Sequence, residues 1–409
     1  MSPTPAARGK LAIEGGKPVR SAPLPPWPHF EQDELDAVRA VLASGKVNYW
    51  TGRECADFEK EFAAHIGCRY AVALANGSVA LELALHALDI GPGDDVVVTA
   101  RSFIASASCV VLRGARPVFA DIDPASQNIT AETVRQALTP ATRAILPVHL
   151  SGWPCDMGPL LDLAKSRGIA VIEDCAQSHG ATYKGRQTGS FGAIAAFSFC
   201  QDKIITTGGE GGMLLTNDRA LWERAWSYKD HGKSHDAVLE RQRQAGTRWV
   251  HESFGTNWRM TEMQAAIGRR QLAKLAQWLE LRRRNAGLLN DALARIPGLN
   301  VPAPGPDFGH AYYKYCVFVD PARLRSGWSL HRIVDAINAE GIPCSPTAVS
   351  EIYLEKAFTD RNLAPAARLP AAQKLAETGI LFMVHPTLAE RDMRDTADAI
   401  VKVMKAAAA

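Results

Sequence analysis

The sequence predicts an α/β protein whose main unit is a mostly parallel sheet covered by helices. Between residues 70 and 216, short apolar runs alternate with segments of helical periodicity. Such alternation is typical of parallel strands joined by helical crossovers, and strands that are apolar throughout are expected where helices cover both faces. A long, charged helical segment follows, and the C-terminal part again shows a strand and helices. We therefore predict a large sheet domain and a smaller C-terminal α/β domain.

The individual elements follow from local patterns. Residues 1–28 are rich in Pro, Ala and Gly and end in a proline-rich run, which predicts an arm across a surface because proline disrupts helix interiors. The predicted strands are Ala71–Leu74, Val96–Thr99, Pro117–Ala120, Ala144–Val148, Ile169–Glu173, Ile194–Phe199 and Met213–Thr216. The predicted helices around and between them are Glu31–Ala43, Asp57–Ile66, Ser78–Leu88, Ser102–Leu112, Ala131–Ala137 and Gly158–Lys165.

These elements suggest three units. The arm occupies residues 1–28, a large domain residues 29–265, and a linking helix with a small domain residues 266–409. Within the last unit, Tyr313–Val319 predicts a strand, and Arg391–Ala406 predicts a closing helix.

The bulk composition restricts the class of protein. The 409 residues include 46 basic and 43 acidic side chains, a balance that argues against a dedicated nucleic-acid or membrane-surface binder. The N-terminus has no apolar signal-peptide core, and no run reaches the roughly 18 apolar residues of a membrane span. The eight cysteines form no C-x-x-C pair or zinc-like cluster. We therefore expect a cytoplasmic protein without a metal site.

Two segments could bind an anion or a charged ring. Gly77 and Ser78 stand between a strand and a helix, where backbone N–H groups and the helix dipole favour a phosphate; the alternative is a plain turn and helix cap. Asp174 ends an apolar strand, at the edge of the sheet where ligands of open α/β folds bind. Its carboxylate could pair with a protonated pyridine nitrogen, although a helix-capping role is as good an explanation.

A third segment contains a lone lysine, Lys203, between two apolar runs and before a glycine-rich turn. A lysine in a desolvated site can form a Schiff base, and glycines allow the backbone to approach a ligand closely. The alternative is a surface lysine beside a flexible turn. In a fourth segment, Asn257 and Arg259 could bind an anion, although the start of a helix capped by Thr261 explains the pattern better.

The order of these segments resembles the DegT/DnrJ/EryC1/StrS family of sugar aminotransferases over roughly residues 25–390. The motifs that carry the resemblance are Gly-Ser at 77–78, Glu-Asp-Cys-Ala-Gln-Ser-His-Gly at 173–180, Phe-Ser-Phe-x-x-x-Lys at 197–203, Thr-Thr-Gly-Gly-Glu-Gly-Gly at 206–212 and Asn-Trp-Arg-Met-Thr-Glu at 257–262. The resemblance implies the aspartate aminotransferase fold (fold type I) and the cofactor pyridoxal 5'-phosphate (PLP). One extra glycine in the turn at 206–212, together with Cys200 and Asp202, departs from the usual family pattern.

The resemblance also implies roles for residues around the cofactor. Lys203 would be the Schiff-base residue and general base, and Asp174 would pair with the pyridine nitrogen. Gln177 would lie near the phenolic oxygen, and Phe103 would stack on the ring. The phosphate would be held by Gly77, Ser78 and Ser198, with Asn257 reaching the cofactor of the neighbouring subunit in a homodimer.

The family implies transfer of an amino group, with L-glutamate the expected donor, to a keto group of a nucleotide-linked sugar. A diphosphate in the acceptor would need a basic rim, for which Lys229, His231 and Lys233 are candidates, although a solvated charged loop explains them equally well. His149 and His385 could face the site or serve as structural histidines.

Three other activities remain compatible with the sequence. They are an aminotransferase acting on a cyclitol ketone or another antibiotic precursor, a PLP-dependent sugar dehydratase, and a non-catalytic PLP sensor. Some relatives of the dehydratase type replace the lysine by histidine, so the presence of Lys203 favours transamination.

Overall fold

The computed structural model describes residues 10–243, 249–347 and 351–409. Its strands are β1 (Tyr70–Leu74), β2 (Asp95–Thr99), β3 (Arg116–Ala120), β4 (Thr142–Leu146), β5 (Ala170–Asp174), β6 (Thr182–Tyr183), β7 (Arg186–Gln187), β8 (Ile194–Ser198), β9 (Gly212–Thr216), β10 (Leu299–Asn300), β11 (Phe308–Gly309), β12 (Tyr315–Val319), β13 (Ser345–Pro346) and β14 (Gly379–Phe382). The seven strands predicted in the large domain are all present, with ends shifted by at most two residues.

The helices lie between and after these strands. They are α1 (Gln32–Ser44), α2 (Glu54–Ile66), α3 (Gly77–Ala87), α4 (Ala105–Leu112), α5 (Ala131–Ala137), α6 (Met157–Arg167), α7 (Arg219–Tyr228), α8 (His235–Arg243), α9 (Glu262–Leu293), α10 (Leu330–Ala339), α11 (Lys356–Thr359), α12 (Pro370–Thr378) and α13 (Glu390–Ala407). Within the described residues, none is both long and apolar enough to cross a membrane.

The large sheet has seven strands in the order β1-β9-β8-β5-β4-β2-β3. β9 runs antiparallel to its neighbours β1 and β8, whereas the other pairs are parallel. β2, β8 and β9 are buried along their whole length, which explains why their sequences are apolar almost throughout. The carboxyl ends of β5 and β8 therefore lie side by side at one edge of the sheet.

The C-terminal part forms a second, four-stranded sheet in the order β10-β12-β14-β13, whose paired strands are all antiparallel. α10 and α13 cover it, and Ile337 and Ile400 are buried in its core. The segment that carries α11 returns to the large domain, where Phe358 packs edge-on against Phe119 with ring centroids 5.3 Å apart. The division at residue 265 thus falls in the first turn of α9, and the C-terminal part also contributes to the core of the large domain.

The N-terminal arm lies across the small domain. Leu11 is buried in the core of that domain, and Nη1 of Arg20 lies 2.8 Å from Oδ1 of Asp392 at the start of α13. At the end of the arm, Nε1 of Trp27 donates a hydrogen bond of 3.0 Å to the carbonyl of Lys203. The first nine residues of the predicted arm lie outside the described residues.

Candidate active site

A cavity of about 700 Å³ opens at the carboxyl edge of the large sheet. This is the edge at which open α/β folds bind their ligands. Seven of the residues predicted at the cofactor line it, namely Gly77, Ser78, Phe103, Asp174, Gln177, Ser198 and Lys203. Segments that are far apart in sequence therefore meet here because consecutive crossovers return to the same edge of the sheet.

Lys203 lies in the loop after β8, with 15% of its side chain exposed. Its Nζ donates a hydrogen bond of 3.3 Å to Oη of Tyr313 and lies 3.7 Å from Oδ1 of Asp202. Its backbone carbonyl accepts the hydrogen bond from Trp27 of the arm. The amine of Lys203 is therefore partly accessible from the cavity. The hydrogen bond from Trp27 ties the backbone of Lys203 to the N-terminal arm.

Asp174 ends β5 and is 3% exposed. Its Oδ2 accepts a hydrogen bond of 2.7 Å from Oγ of Ser106, and its Oδ1 accepts one of 3.0 Å from the backbone N–H of Ala176. Burial raises the pKa of Asp174, and the bond from Ser106 only partly opposes that shift. A buried carboxyl with a raised pKa at the wall of a cavity is suited to pair with a cationic group that enters the cavity.

Gly77 and Ser198 form a close contact at the start of α3. A Cβ atom added to Gly77 would lie 2.5 Å from Cβ of Ser198, so a larger residue does not fit without a shift. Asn76 caps the helix by accepting a hydrogen bond of 3.0 Å from the N–H of Val79. The first N–H groups of a helix have no acceptor inside the helix, and a phosphate is a suitable ligand for them.

Phe103 and Gln177 also line the cavity, as predicted for residues near the cofactor ring. The side chain of Phe103 is 59% exposed and lines the cavity, so its ring is accessible to a planar ligand. Oε1 of Gln177 accepts a hydrogen bond of 2.8 Å from the backbone N–H of Ser151, which fixes the side-chain amide at the wall.

Sequence reasoning missed several residues of the cavity. Tyr313 and Lys314 come from the small domain, just before β12, and Asp202 immediately precedes Lys203. For Asp202, its departure from the family pattern could have pointed to a role in the site. Tyr313 carried no such signal because its contact with Lys203 joins residues 110 positions apart.

Asn257, His231 and Lys233 are not among the lining residues of this cavity. Asn257 is exposed and its backbone pairs with that of Asp230, whereas Nζ of Lys233 donates a hydrogen bond of 2.9 Å to Oδ1 of Asp230. His231 is exposed between Asp230 and Lys233, with a left-handed backbone at φ 61°. The three residues thus share one surface outside the cavity of their own chain.

The prediction that Lys229 belongs to a basic rim is wrong. Lys229 is fully buried, and its Nζ lies 3.4 Å from the centroid of the Tyr49 ring. Burial lowers the pKa of Lys229 to about 8, an effect that the nearby Glu59 opposes. A side chain enclosed in this way does not reach a substrate.

The two histidines proposed for the substrate are structural. His149 is fully buried between Oε2 of Glu173, 3.0 Å from its Nε2, and the N–H of Cys155, which donates to its Nδ1 at 2.9 Å. His385 is 6% exposed and stacks on Trp27 of the arm, and burial lowers its pKa to about 3. Neither histidine is among the residues that line the cavity, so the prediction of substrate contacts is corrected for both.

The chain is similar to known aminotransferases over most of its length. The family model for the DegT/DnrJ/EryC1/StrS aminotransferase family matches residues 28–401. The L-glutamine:2-deoxy-scyllo-inosose aminotransferase of Streptoalloteichus tenebrarius is 35% identical, with 97% of each chain covered. The GDP-perosamine synthase of Caulobacter vibrioides is also 35% identical, covering 92% of this chain and 97% of the relative.

A solved structure extends the likeness to the whole fold. The aminotransferase from Psychrobacter cryohalolentis is 54% identical and superposes with a TM-score of 0.91, covering 92% of this chain and 98% of that one. The predicted α/β architecture of fold type I is thereby confirmed, as is the resemblance carried by the motifs. The chain is therefore an aminotransferase, and it belongs to the DegT/DnrJ/EryC1/StrS aminotransferase family.

Proposed function

We propose that the protein is a PLP-dependent aminotransferase that moves an amino group from L-glutamate to a keto group of a nucleotide-linked sugar. The observation that carries the proposal is the meeting of Lys203, Asp174 and the Gly77–Ser198 contact around one cavity. An amine, a buried carboxyl and an anion site are the three groups that a phosphorylated pyridine aldehyde requires.

The residues present fit PLP. Asp174 is buried with a raised pKa and would gain a counter-charge from a protonated ring nitrogen. The contact between Gly77 and Ser198 leaves the start of α3 bare of side-chain bulk, so backbone N–H groups there are free to approach a phosphate. Phe103 offers an exposed ring for stacking, and the cavity has room for a substrate beside the cofactor.

The chain's own residues would divide the work of the reaction. When bound, PLP supplies the electron sink that makes proton removal from the donor's carbon feasible. Nζ of Lys203 would hold the cofactor and then carry a proton between cofactor and substrate carbons. Asp174 would keep a proton on the ring nitrogen, while Phe103 and Gln177 would fix the plane of the ring.

A nucleotide-linked acceptor is supported by the GDP-perosamine synthase among the relatives. A second candidate, transfer from L-glutamine to a cyclitol ketone, is supported by the L-glutamine:2-deoxy-scyllo-inosose aminotransferase at the same identity. The cavity that holds Lys203 serves both candidates, so the choice between them rests on substrates rather than on the cofactor chemistry.

We further propose a homodimer in which Asn257 contacts the phosphate in the neighbouring subunit. Asn257 is exposed and lies outside the cavity of its own chain, which is the placement that such a role requires. His231 and Lys233 lie in the neighbouring loop, whose backbone pairs with the segment of Asn257, and they would approach the acceptor in the neighbouring subunit in the same way. All eight cysteines are free thiols, in keeping with the cytoplasm as the proposed compartment.

The test is a visible absorption spectrum of the purified protein with PLP, recorded before and after each amino donor. We expect a band that bleaches with L-glutamate and returns when a keto-sugar nucleotide is added. Bleaching by L-glutamine with recovery by a cyclitol ketone would establish the second candidate instead. A band that no amino donor bleaches would indicate the PLP sensor, and a sugar product without nitrogen would indicate the dehydratase.

A further inference from the structure

A carboxylate lies directly beside the reactive lysine. Oδ1 of Asp202 is 3.7 Å from Nζ of Lys203, close enough for an ion pair. A second route joins the same two groups, because Nζ of Lys203 donates to Oη of Tyr313 and that hydroxyl donates to Oδ2 of Asp202. The three side chains form a closed triangle at the wall of the cavity.

The triangle is held from both domains. Tyr313 is 7% exposed, and its backbone carbonyl accepts a hydrogen bond of 3.4 Å from Nη1 of Arg282 in α9. On the other side, the N–H of Lys203 donates a hydrogen bond of 3.1 Å to the carbonyl of Cys200, closing the turn that carries Asp202. The phenol from the small domain therefore meets the lysine of the large domain in a supported geometry.

Several charged or titratable groups surround Asp202. Lys314 places its Nζ 3.4 Å from Oδ2 of Asp202 and therefore competes with Lys203 for the carboxylate. Burial alone would raise the pKa of Asp202, but Lys203, Tyr313 and Lys314 together hold it below its ordinary value. The other groups that act on members of this cluster are Arg282 behind Tyr313, Asp174 across the cavity, His179, and Cys200 with Glu210 on the glycine-rich turn.

We propose that Asp202 and Tyr313 are positioning residues that orient Nζ of Lys203 and favour a positive charge on this nitrogen while it holds the cofactor. This inference rests on the proposed function and assigns a role to a residue at which the chain departs from the usual family pattern. A proton on the nitrogen makes a carbon bonded to it a better target for the amine of the donor. Asp202 does not touch the donor for this purpose and acts only through the lysine.

The experiment is a pH titration of the visible absorption band of the PLP-loaded protein. The band reports the protonation of the lysine nitrogen and needs no substrate. In Asp202→Asn, which keeps the size of the side chain and removes its charge, we expect the midpoint to fall by about one pH unit, because the carboxylate is half-exposed and solvent weakens its field. In Asp202→Glu, which restores the charge, the midpoint should return towards the wild-type value.

Tyr313→Phe provides a second test that leaves the carboxylate of Asp202 in place. It removes the hydroxyl between the two groups, and we expect a shift in the same direction, by about half a pH unit. If Asp202→Asn does not retain the cofactor, the Tyr313→Phe titration decides the question.

Two results would overturn the inference. One is an unmoved midpoint in Asp202→Asn and Tyr313→Phe, and the other is a shift in Asp202→Glu as large as that in Asp202→Asn. Both leave the proposed function intact, because the band itself is present. A wild-type protein that shows no band with PLP would overturn the proposed function and this inference with it.

Discussion

Two lysines of this chain lie beside aromatic rings and carboxylates, and they differ in their access to the cavity. Nζ of Lys203 is 4.8 Å from the centroid of the Tyr313 ring, and that of Lys229 is 3.4 Å from the centroid of the Tyr49 ring. Lys203 lies at the wall of a cavity with part of its side chain exposed, whereas Lys229 is completely enclosed. Within the described residues, Nζ of Lys229 has no hydrogen-bond partner.

The difference shows that burial by itself does not make a lysine reactive. Burial lowers the pKa of Lys229 to about 8, which by that criterion alone would mark it as a candidate reactive amine. No substrate can reach it, however, and its charge instead acts on Glu59, whose pKa burial raises and Lys229 lowers. Access to a cavity that is also lined by the buried carboxyl of Asp174 is what distinguishes Lys203.

The largest expected effect comes from Lys203→Ala. Because this change removes the proposed attachment point and general base, we expect the rate of the donor half-reaction to fall by about 10³-fold. The free energy of unfolding should change by less than about 1 kcal/mol, since among the described residues the side chain of Lys203 makes only one hydrogen bond. Stopped-flow absorbance with L-glutamate and a urea titration would measure the two quantities. A variant that keeps its half-reaction would remove Lys203 from the mechanism.

The motifs predicted seven residues that line the cavity, whereas the residues that the motifs lacked lie there through contacts between distant segments. The seven strands were predicted to within two residues because their buried faces leave continuous apolar runs. Lys203 and Asp174 could be predicted as lining residues because each lies in a distinctive local segment. Lys229 was misassigned because its charged neighbours in sequence suggest an exposed loop. The Tyr49 ring that covers it comes from a distant segment, so the local sequence does not reveal its burial. Tyr313 was missed because its contact with Lys203 also joins two distant parts of the sequence.

Lys229→Met should produce the opposite result to Lys203→Ala. It leaves Glu59 without its cationic neighbour and removes the contact with the Tyr49 ring, so we expect a loss of about 2 kcal/mol in the free energy of unfolding. The half-reaction rate of the folded, PLP-loaded variant should stay within about twofold of wild type. The double variant Glu59→Gln/Lys229→Met serves as the matched control and should recover part of the lost stability. Unchanged stability in Lys229→Met would show that the enclosed charge does not support the fold.

The smallest effect is a pH dependence that distinguishes the enclosed lysine from an ordinary one. The folded-state pKa of Lys229, about 8, lies below its ordinary value of 10.5. Between these values the unfolded chain holds more protons than the folded protein, so the free energy of unfolding rises with pH in this window. Between about pH 7 and about pH 9, the wild type should gain about 1 kcal/mol relative to Lys229→Met, as measured by urea titrations at each pH. If the free energies of unfolding of the two proteins change in parallel with pH, Lys229 titrates like an exposed lysine. The contrast with Lys203 would then rest on access to the cavity alone.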